Sequence, residues 1–441
     1  MSLKNINEGN VLRDGALLFG GLLCCLLYAA NGSGLTLPLT AVMLLAGGAL
    51  VFWCARCYTL QKETAELYLL LFLLPALLYA LTLPVTPDEL PVTGLLTYGN
   101  GRTFARLFSL PAFWLGRLVG MSAPACVTLA RVAHVLGCSA VLTFAVAVIP
   151  YGKSIAACIT LLPACMGGFA CASPNSSTLA FSMAFIALTL RLAYTKDAYV
   201  MSVRYRAALI LCCTLMLLCD ISCLPLLVFL FMIPRERFGS KKQTAVTLLL
   251  LAAGIAAAVL AWALLPAAAH ATVLSADPAA QLQHMLRHPI AFLGSCVNTA
   301  FAEGGHLIAQ LTALDGTHWG SSFQLLWPVT AALLICMFYA FYFDAGLSSR
   351  RKYVLRSIGG ALVLYLLCEA ANCYVHGTAV GETLISGLAA NMLLPCALPA
   401  VLFVKRLFKH PAEPQKNLNL VLLTLALCNT VSVLLVYLAK H

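Results

Sequence analysis

Residues 244–266 read TAVTLLLLAAGIAAAVLAWALLP, 23 consecutive residues without a charged side chain. Since an α-helix rises ~1.5 Å per residue, a stretch of this length crosses the ~30 Å hydrocarbon core of a bilayer. The sequence therefore predicts an all-α, polytopic membrane protein with about 11–13 transmembrane helices. The other full-length candidate spans are residues 14–30, 35–54, 66–85, 125–149, 154–172, 176–193, 325–343, 354–374, 384–404 and 418–438.

The composition of the whole chain agrees with this fold. Of its 441 residues 61% are hydrophobic and 10% are charged, whereas a soluble domain has roughly 25% charged residues. The net charge of +11 does not indicate nucleic acid, because Lys and Arg collect in the cytoplasmic loops of membrane proteins. The 19 cysteines lie mostly inside apolar blocks without zinc-ligand spacing, which favours a packing role.

Two further apolar stretches, 206–219 and 221–233, are too short for two full α-helical spans. Basic residues flank both outer ends of the pair, with Arg204 and Arg206 before it and Arg235 and Arg237 after it. This pattern predicts a hairpin that enters and leaves from one side and turns near Asp220.

The spans group into three parts. We expect an N-terminal transmembrane hairpin over 1–65, a core over 66–410 and a C-terminal transmembrane helix over 411–441. Within the core, 86–124 and 267–324 are the long loops on the outer side.

The distribution of basic residues predicts the orientation. A cytoplasmic N-terminus places 21 of the 27 Lys and Arg residues on the cytoplasmic side, as the positive-inside rule requires. The sequence therefore predicts a multi-pass membrane protein with the two long loops and 375–383 on the non-cytoplasmic side.

Both long outer loops contain helical patterns. RTFARLFSLPAFWLGRLVG at 102–120 alternates apolar and basic residues, which is typical of an amphipathic helix in the membrane interface with Trp114 at headgroup depth. The 267–324 loop has Ala-rich helical turns and five of the nine histidines. Only His284 and His288 are spaced i, i+4, without the carboxylate of an HExxH site, so a solvated helix is favoured over a metal site.

The strongest local signal for chemistry is the sequence Pro87-Asp88-Glu89, directly after the 66–85 span. Adjacent carboxylates at a membrane exit need water or a partner. One interpretation makes Asp88 the N-cap of a following helix. The other makes this pair a general base and a ligand of substrate or metal, and the two interpretations are compatible.

Several candidate spans carry polar residues. Arg131 and His134 are three residues apart and share one helix face. Ionisable residues at this depth face a water-filled cavity or one another, so Arg131 and Glu369 either bind a ligand or pair internally. For Asp220, a cap at the hairpin turn is the favoured interpretation.

These residues stand in an order that resembles a known family. The chain resembles, over about residues 81–400, the bacterial predicted membrane proteins called domain of unknown function 2142. The stretches that carry the resemblance are PDE at 87–89, 102–122, ARVAHVLG at 130–137, IPYGKS at 149–154, LLPACMGGFACASPNSSTLAF at 161–181, CLPLLVFLFMIPRERF at 223–238 and DPAAQLQHMLRHPIAFL at 277–293.

Members of that family are similar to GT-C glycosyltransferases, which transfer sugars from polyprenyl-phosphate donors outside the cytoplasmic membrane. The resemblance implies an inverting, GT-C-like enzyme of cell-envelope glycan assembly in the bacterial cytoplasmic (inner) membrane, with a glycan or lipid-linked acceptor. It assigns the catalytic carboxylate to Asp88, with Glu89 beside it. No cofactor is indicated, although a divalent metal remains open. The candidate substrate-binding residues of this chain are Arg102, Arg106, Arg131, His134, Asn175 and Glu369.

The sequence departs from the family pattern at four places. Val92 replaces a histidine, Asn175 an acid and Asp220 a lysine, and the segment 390–395 lacks an arginine. The missing lysine and arginine would have bound phosphate. Two alternatives therefore stay open: a catalytically degenerate relative that binds lipid-linked sugar, and a transporter or flippase.

Overall fold

The computed structural model describes residues 64–82, 101–194, 201–264, 277–311, 327–344, 352–405 and 421–430 except 428. These residues form helices and connecting turns without a strand, which confirms the all-α prediction. The α-helices are α1 Thr64–Thr82, α2 Ser109–Leu118, α3 Ala123–Val148, α4 Lys153–Thr160, α5 Pro163–Ala170, α6 Pro174–Tyr194, α7 Val203–Cys219, α8 Lys241–Leu264, α9 Pro278–Arg287, α10 Pro289–Leu311, α11 Trp327–Phe343, α12 Lys352–Gly377 and α13 Ala397–Lys405.

Four of the described helices, α3, α6, α8 and α12, are long and apolar enough to cross a membrane, and the bent pair α4–α5 adds a fifth. The predicted spans 14–30 and 35–54 lie outside the described residues. Burial orders the four long helices: 89% of the apolar window of α6 is inside the protein, against 17% for α8. Therefore α6 forms the centre of the bundle, and α8 is a peripheral helix that faces lipid.

The predicted hairpin is confirmed. Helix α7 runs to Cys219 and a 3₁₀ helix, Ile221–Met232, returns along the bundle. The backbone N–H of Met201 donates to the carbonyl of Arg237 at 2.8 Å, so both ends of the hairpin meet. At ~2.0 Å per residue the 12-residue 3₁₀ helix is about 24 Å long, close to the ~25 Å of the 17-residue α7.

The predicted span 154–172 is a broken helix. Helices α4 and α5 meet at an angle of 62°, just before Pro163. Proline lacks an N–H group and interrupts the helical hydrogen bonds there. The side chain of Asn429 donates to the buried carbonyl of Leu161 at 2.5 Å, which supplies a partner for that carbonyl. Such internal satisfaction is what permits irregular backbone at membrane depth.

The predicted span 384–404 starts too early. Residues 384–389 are not helical, and the helical part begins with a 3₁₀ helix, Ala390–Cys396, that continues into α13. The preceding segment is tied to α10 instead. The N–H of Ile385 donates to Thr299 Oγ1 at 2.8 Å, and that of Ala390 donates to Gln310 Oε1 at 3.1 Å.

Segments predicted on the cytoplasmic side lie together. Asp344, after α11, accepts from the N–H groups of Ser154 (2.8 Å) and Ile155 (3.1 Å) and so caps the first turn of α4. Lys405, at the end of α13, is buried and donates to the carbonyl of Phe341. These contacts join three predicted inner connections into one cluster.

The loops predicted to lie outside contain amphipathic helices, as predicted. The 102–120 segment is split into a 3₁₀ helix, Gly101–Arg106, and α2, which exposes Trp114, Leu115 and Leu118. Helices α9 and α10 expose a row of large apolar residues at intervals of three or four. Within each of the two helices this spacing puts the exposed residues on one face, which suits contact with the bilayer interface. The exposed residues are Leu282, Leu286, Ile290, Leu293, Val297 and Phe301.

Candidate functional site

Arg131 lies on α3 with only 4% of its surface exposed. Its guanidinium Nη1 donates to the carbonyl of Ala80 at 3.0 Å, near the end of α1. Ala80 precedes Asp88 by eight residues in the sequence. Asp88 and Glu89 themselves lie outside the described residues. The arginine is therefore fixed beside the helix that leads to the predicted catalytic carboxylate.

His134 lies one turn further along the same face of α3 and is fully buried. Its Nε2 is 2.8 Å from the Ser176 hydroxyl, which itself donates to the carbonyl of Ser173. Because the serine's single proton is used there, His134 Nε2 carries the proton and donates to Ser176. Its Nδ1 is then an acceptor, and it has no hydrogen-bond partner among the described residues.

The interfacial segment docks directly against this histidine. The Ser177 hydroxyl of α6 donates to the carbonyl of Ala105 at 2.5 Å, and Arg106 lies near His134. The Phe108 ring meets the His134 ring edge-on, with centroids 6.4 Å apart. The Arg102 backbone belongs to the same 3₁₀ helix, but its side chain lies outside the described part.

Gly137 is the position on α3 that admits Phe108. A Cβ atom added there would lie 2.3 Å from Cγ of the Phe108 ring, far inside van der Waals contact. Gly137→Ala is expected to displace the ring, loosen residues 101–118 and lower the stability by about 1–3 kcal/mol. Thermal unfolding in detergent and limited proteolysis of this segment measure the effect.

Gly294→Ala in α10 is the matched control, because nothing lies within 4 Å of its added Cβ. It should leave stability unchanged or raise it by up to ~1 kcal/mol through helix propensity. Equal behaviour of the two alanine variants would contradict the docking contact.

A second polar group lies on α12. The Tyr365 hydroxyl is 2.7 Å from the carbonyl of Met392 and 3.1 Å from Glu369 Oε1. Glu369 is almost fully buried. Nearby, Asp220 accepts from the N–H of Ser222 at 3.0 Å, so the interpretation of Asp220 as a cap at the hairpin turn is confirmed.

Buried cysteines connect the two groups. Cys138 Sγ is 3.5 Å from His134 Nε2, and Cys219 lies in the neighbourhood of Cys138. Cys223 lies in the neighbourhood of both Asp220 and Glu369. We call this series of neighbouring residues, which runs from Arg131 to Glu369, the polar track.

The remaining predicted site residues have defined places. Arg106 is half-buried at the His134 end of the track. Asn175 is half-buried in the first turn of α6, directly before Ser176. The structure thus brings Arg106, Arg131 and His134 together near Asn175, while Glu369 lies at the opposite end of the track.

The described residues offer no group of three or more His, Cys, Asp or Glu side chains placed to hold a metal ion. His284 and His288 have ring centroids 5.0 Å apart, and His284 Nδ1 is 3.3 Å from the Tyr374 hydroxyl. The His284 contact ties α9 to α12.

Sequence reasoning did not assign roles to Ser176, Ser177 and Tyr365. The two serines are the first residues of the predicted span 176–193. Their hydroxyl groups at the start of a long apolar stretch were the signal that could have identified them. Tyr365 carries no such signal, because an aromatic residue in a span is ordinary.

The family profile of the predicted membrane proteins DUF2142 matches residues 106–398. The chain belongs to this family. The match contains Arg131, His134, Asn175 and Glu369 and begins after Asp88, although the resemblance had been expected from about residue 81. Neither a curated protein nor a solved structure matches the chain. Membership in DUF2142 establishes a membrane protein and leaves its activity to be proposed.

Proposed function

We propose that this DUF2142 protein is a GT-C-like, inverting glycosyltransferase that uses a polyprenyl-phosphate-linked sugar donor in cell-envelope glycan assembly. One observation carries the proposal: a buried arginine and an unpartnered imidazole nitrogen lie where an amphipathic helix docks on the membrane bundle. An amphipathic helix of this kind lies in the membrane interface, where the phosphate of a lipid-linked sugar also lies.

The chemistry of these side chains suits such a donor. Arg131 and Arg106 supply N–H donors for phosphate oxygens, and charged hydrogen bonds of this kind are the strong ones. His134 Nδ1 accepts a hydrogen bond from a sugar hydroxyl. The apolar residues exposed by α2 offer a surface for the prenyl chain. Arg102 adds a third cation in the same segment.

The proposed reaction is a single displacement. Asp88 takes the proton of an acceptor hydroxyl while the hydroxyl oxygen attacks the anomeric carbon. The bond from this carbon to the phosphate oxygen breaks, and the polyprenyl phosphate leaves as an anion paired with Arg131. One displacement inverts the anomeric configuration. Glu89 orients Asp88 or the acceptor.

A non-catalytic relative that binds lipid-linked sugar is the second candidate. It is favoured by the family match, which begins after Asp88, and by Val92, Asn175 and Asp220 in place of expected family residues. Transfer of radiolabelled sugar from a polyprenyl-phosphate donor to envelope lipid extract, in proteoliposomes, decides between the two. Transfer supports the enzyme, whereas saturable donor binding without transfer or hydrolysis supports the relative.

The proposal requires the site to face the outer side of the inner membrane, with the N-terminus in the cytoplasm. Met121→Cys and Gln283→Cys introduce thiols at exposed positions of the two outer loops, and Ser240→Cys serves as the cytoplasmic control. An impermeant maleimide should label the first two in spheroplasts and the third only after lysis. If only Ser240→Cys is labelled in intact spheroplasts, the orientation is the reverse of the predicted one.

A further inference from the structure

Gln281 of α9 has a fully buried side chain, yet neither its amide nitrogen nor its amide oxygen has a hydrogen-bond partner among the described residues. An amide that loses its water without gaining a partner destabilises the protein. A residue kept for packing alone would be apolar here. The buried carboxamide therefore indicates a ligand that both donates and accepts hydrogen bonds.

The orientation of α9 strengthens this indication. Leu282 and Leu286 are exposed, whereas Gln281, His284 and Met285 share the inward face. This helix exposes two large leucines and carries a carboxamide on the buried face from which His284 contacts α12. Burial of apolar surface within the protein does not explain that arrangement.

The side chains of His284, Tyr374 and Phe292 on and beside this face are of the kinds that bind carbohydrate. The hydroxyl of Tyr374 lies 3.3 Å from His284 Nδ1. The rings of Tyr374 and Phe292 are tilted against each other, with centroids 5.2 Å apart. Aromatic rings contact the C–H faces of sugar rings, while amide and imidazole groups bond their hydroxyls. A hydroxyl is both donor and acceptor, which matches the two unpartnered atoms of Gln281.

The inward face of α9 lies close to the Glu369 end of the polar track. Tyr374 is nine residues after Tyr365 on α12, about 13 Å along the helix axis. Met392 contacts α12 beside both tyrosines. Its carbonyl accepts from the Tyr365 hydroxyl, and its sulfur is 3.8 Å from Sγ of Cys373, the residue before Tyr374. The two places are therefore neighbouring parts of one bundle.

We propose that Gln281, His284 and Tyr374 form a subsite for a hydroxyl-rich glycan, held between α9 and α12. Its assignment to the acceptor of sugar transfer rests on the proposed function. The glycan is a soluble oligosaccharide or the headgroup of a glycolipid in the outer leaflet, and both present the same hydroxyls.

The test is binding to protein in nanodiscs by saturation-transfer NMR. One arm uses a panel of defined neutral tri- and tetrasaccharides, and the other uses nanodiscs that contain diglucosyl-diacylglycerol. Wild-type protein should bind in one arm, which identifies the source. Gln281→Leu should weaken that binding by about tenfold or more, the factor that losing one hydrogen bond costs. Its melting temperature should not fall, because it removes an unsatisfied amide.

Gln283→Leu is the matched control, since Gln283 lies on the same helix and is exposed; it should bind like wild type. Gln281→Met repeats the comparison if the leucine variant does not fold. Equal binding by wild type and Gln281→Leu, or wild-type binding in neither arm, would overturn the subsite. Donor binding without saccharide binding overturns this inference alone. Saccharide binding without donor binding overturns the proposed function and leaves the subsite standing.

Discussion

Asp88→Asn is expected to lower the rate of sugar transfer by about 10²–10⁴-fold, the usual contribution of a general base. The substitution keeps the shape of the side chain and removes only its ability to take a proton. The loss should therefore fall on kcat, with donor binding nearly unchanged. The measurement is single-turnover transfer of radiolabelled sugar in proteoliposomes, beside equilibrium binding of the same donor.

Glu89→Gln is the matched control, because it makes the same chemical change one residue away. Its effect should be smaller if Glu89 only orients a neighbour. Full activity of Asp88→Asn would reject Asp88 as the base. The reverse order of the two effects would transfer the role to Glu89.

Arg131→Ala is expected to weaken donor binding by about 10–100-fold, because a hydrogen bond to a charged phosphate contributes about 1.5–3 kcal/mol. The loss should appear in the Kd of the donor. Arg131 also donates to Ala80, so some loss of thermal stability is expected as well. Arg131→Lys retains the charge without the planar guanidinium and should recover part of the affinity.

Arg117→Ala provides the comparison for Arg131. Arg117 is also on the predicted outer side, but it is exposed on α2. Its removal should change donor affinity little, since screening weakens exposed charges. If both alanine variants bind the donor equally, the affinity arises from the general positive charge of the outer loops, and the assignment of Arg131 fails.

The broad fold was predictable because its signals are local. A long run without charge, such as 244–266, predicts a transmembrane helix from its own residues. Basic flanks likewise predicted that 206–233 forms a hairpin. The 3₁₀ form of Ile221–Met232 was not predictable, because the same apolar residues fit an α-helix and only packing selects the longer rise.

The site was predictable only in part, because its contacts join distant parts of the chain. Arg131 and His134 could be identified from the sequence alone, because ionisable residues are rare within an apolar helix. Their partners at Ala80 and Ser176 follow from tertiary packing. The same reason hid Asp344 and Asn429, which supply hydrogen bonds across the bundle to backbone more than 180 residues away in sequence.

Misplaced boundaries also have a physical cause. The span 384–404 was predicted by hydropathy, yet its first six residues form an irregular segment held by side chains of α10. Hydropathy reports how apolar a stretch is and does not report which backbone groups receive tertiary partners. Thr299 and Gln310 provide such partners here, so the helix starts at Ala390.

The central claim is that a lipid-linked sugar phosphate binds beside Arg131 and His134. Photo-crosslinking tests it most directly, using a polyprenyl-phosphate sugar with a diazirine on the isoprene unit next to the phosphate, in nanodiscs. Labelling that excess unmodified donor suppresses should map by mass spectrometry to residues 80–90, 101–118 and 128–138. Suppressible labelling confined to the opposite end of the bundle, around Asp344 and Lys405, would contradict the claim.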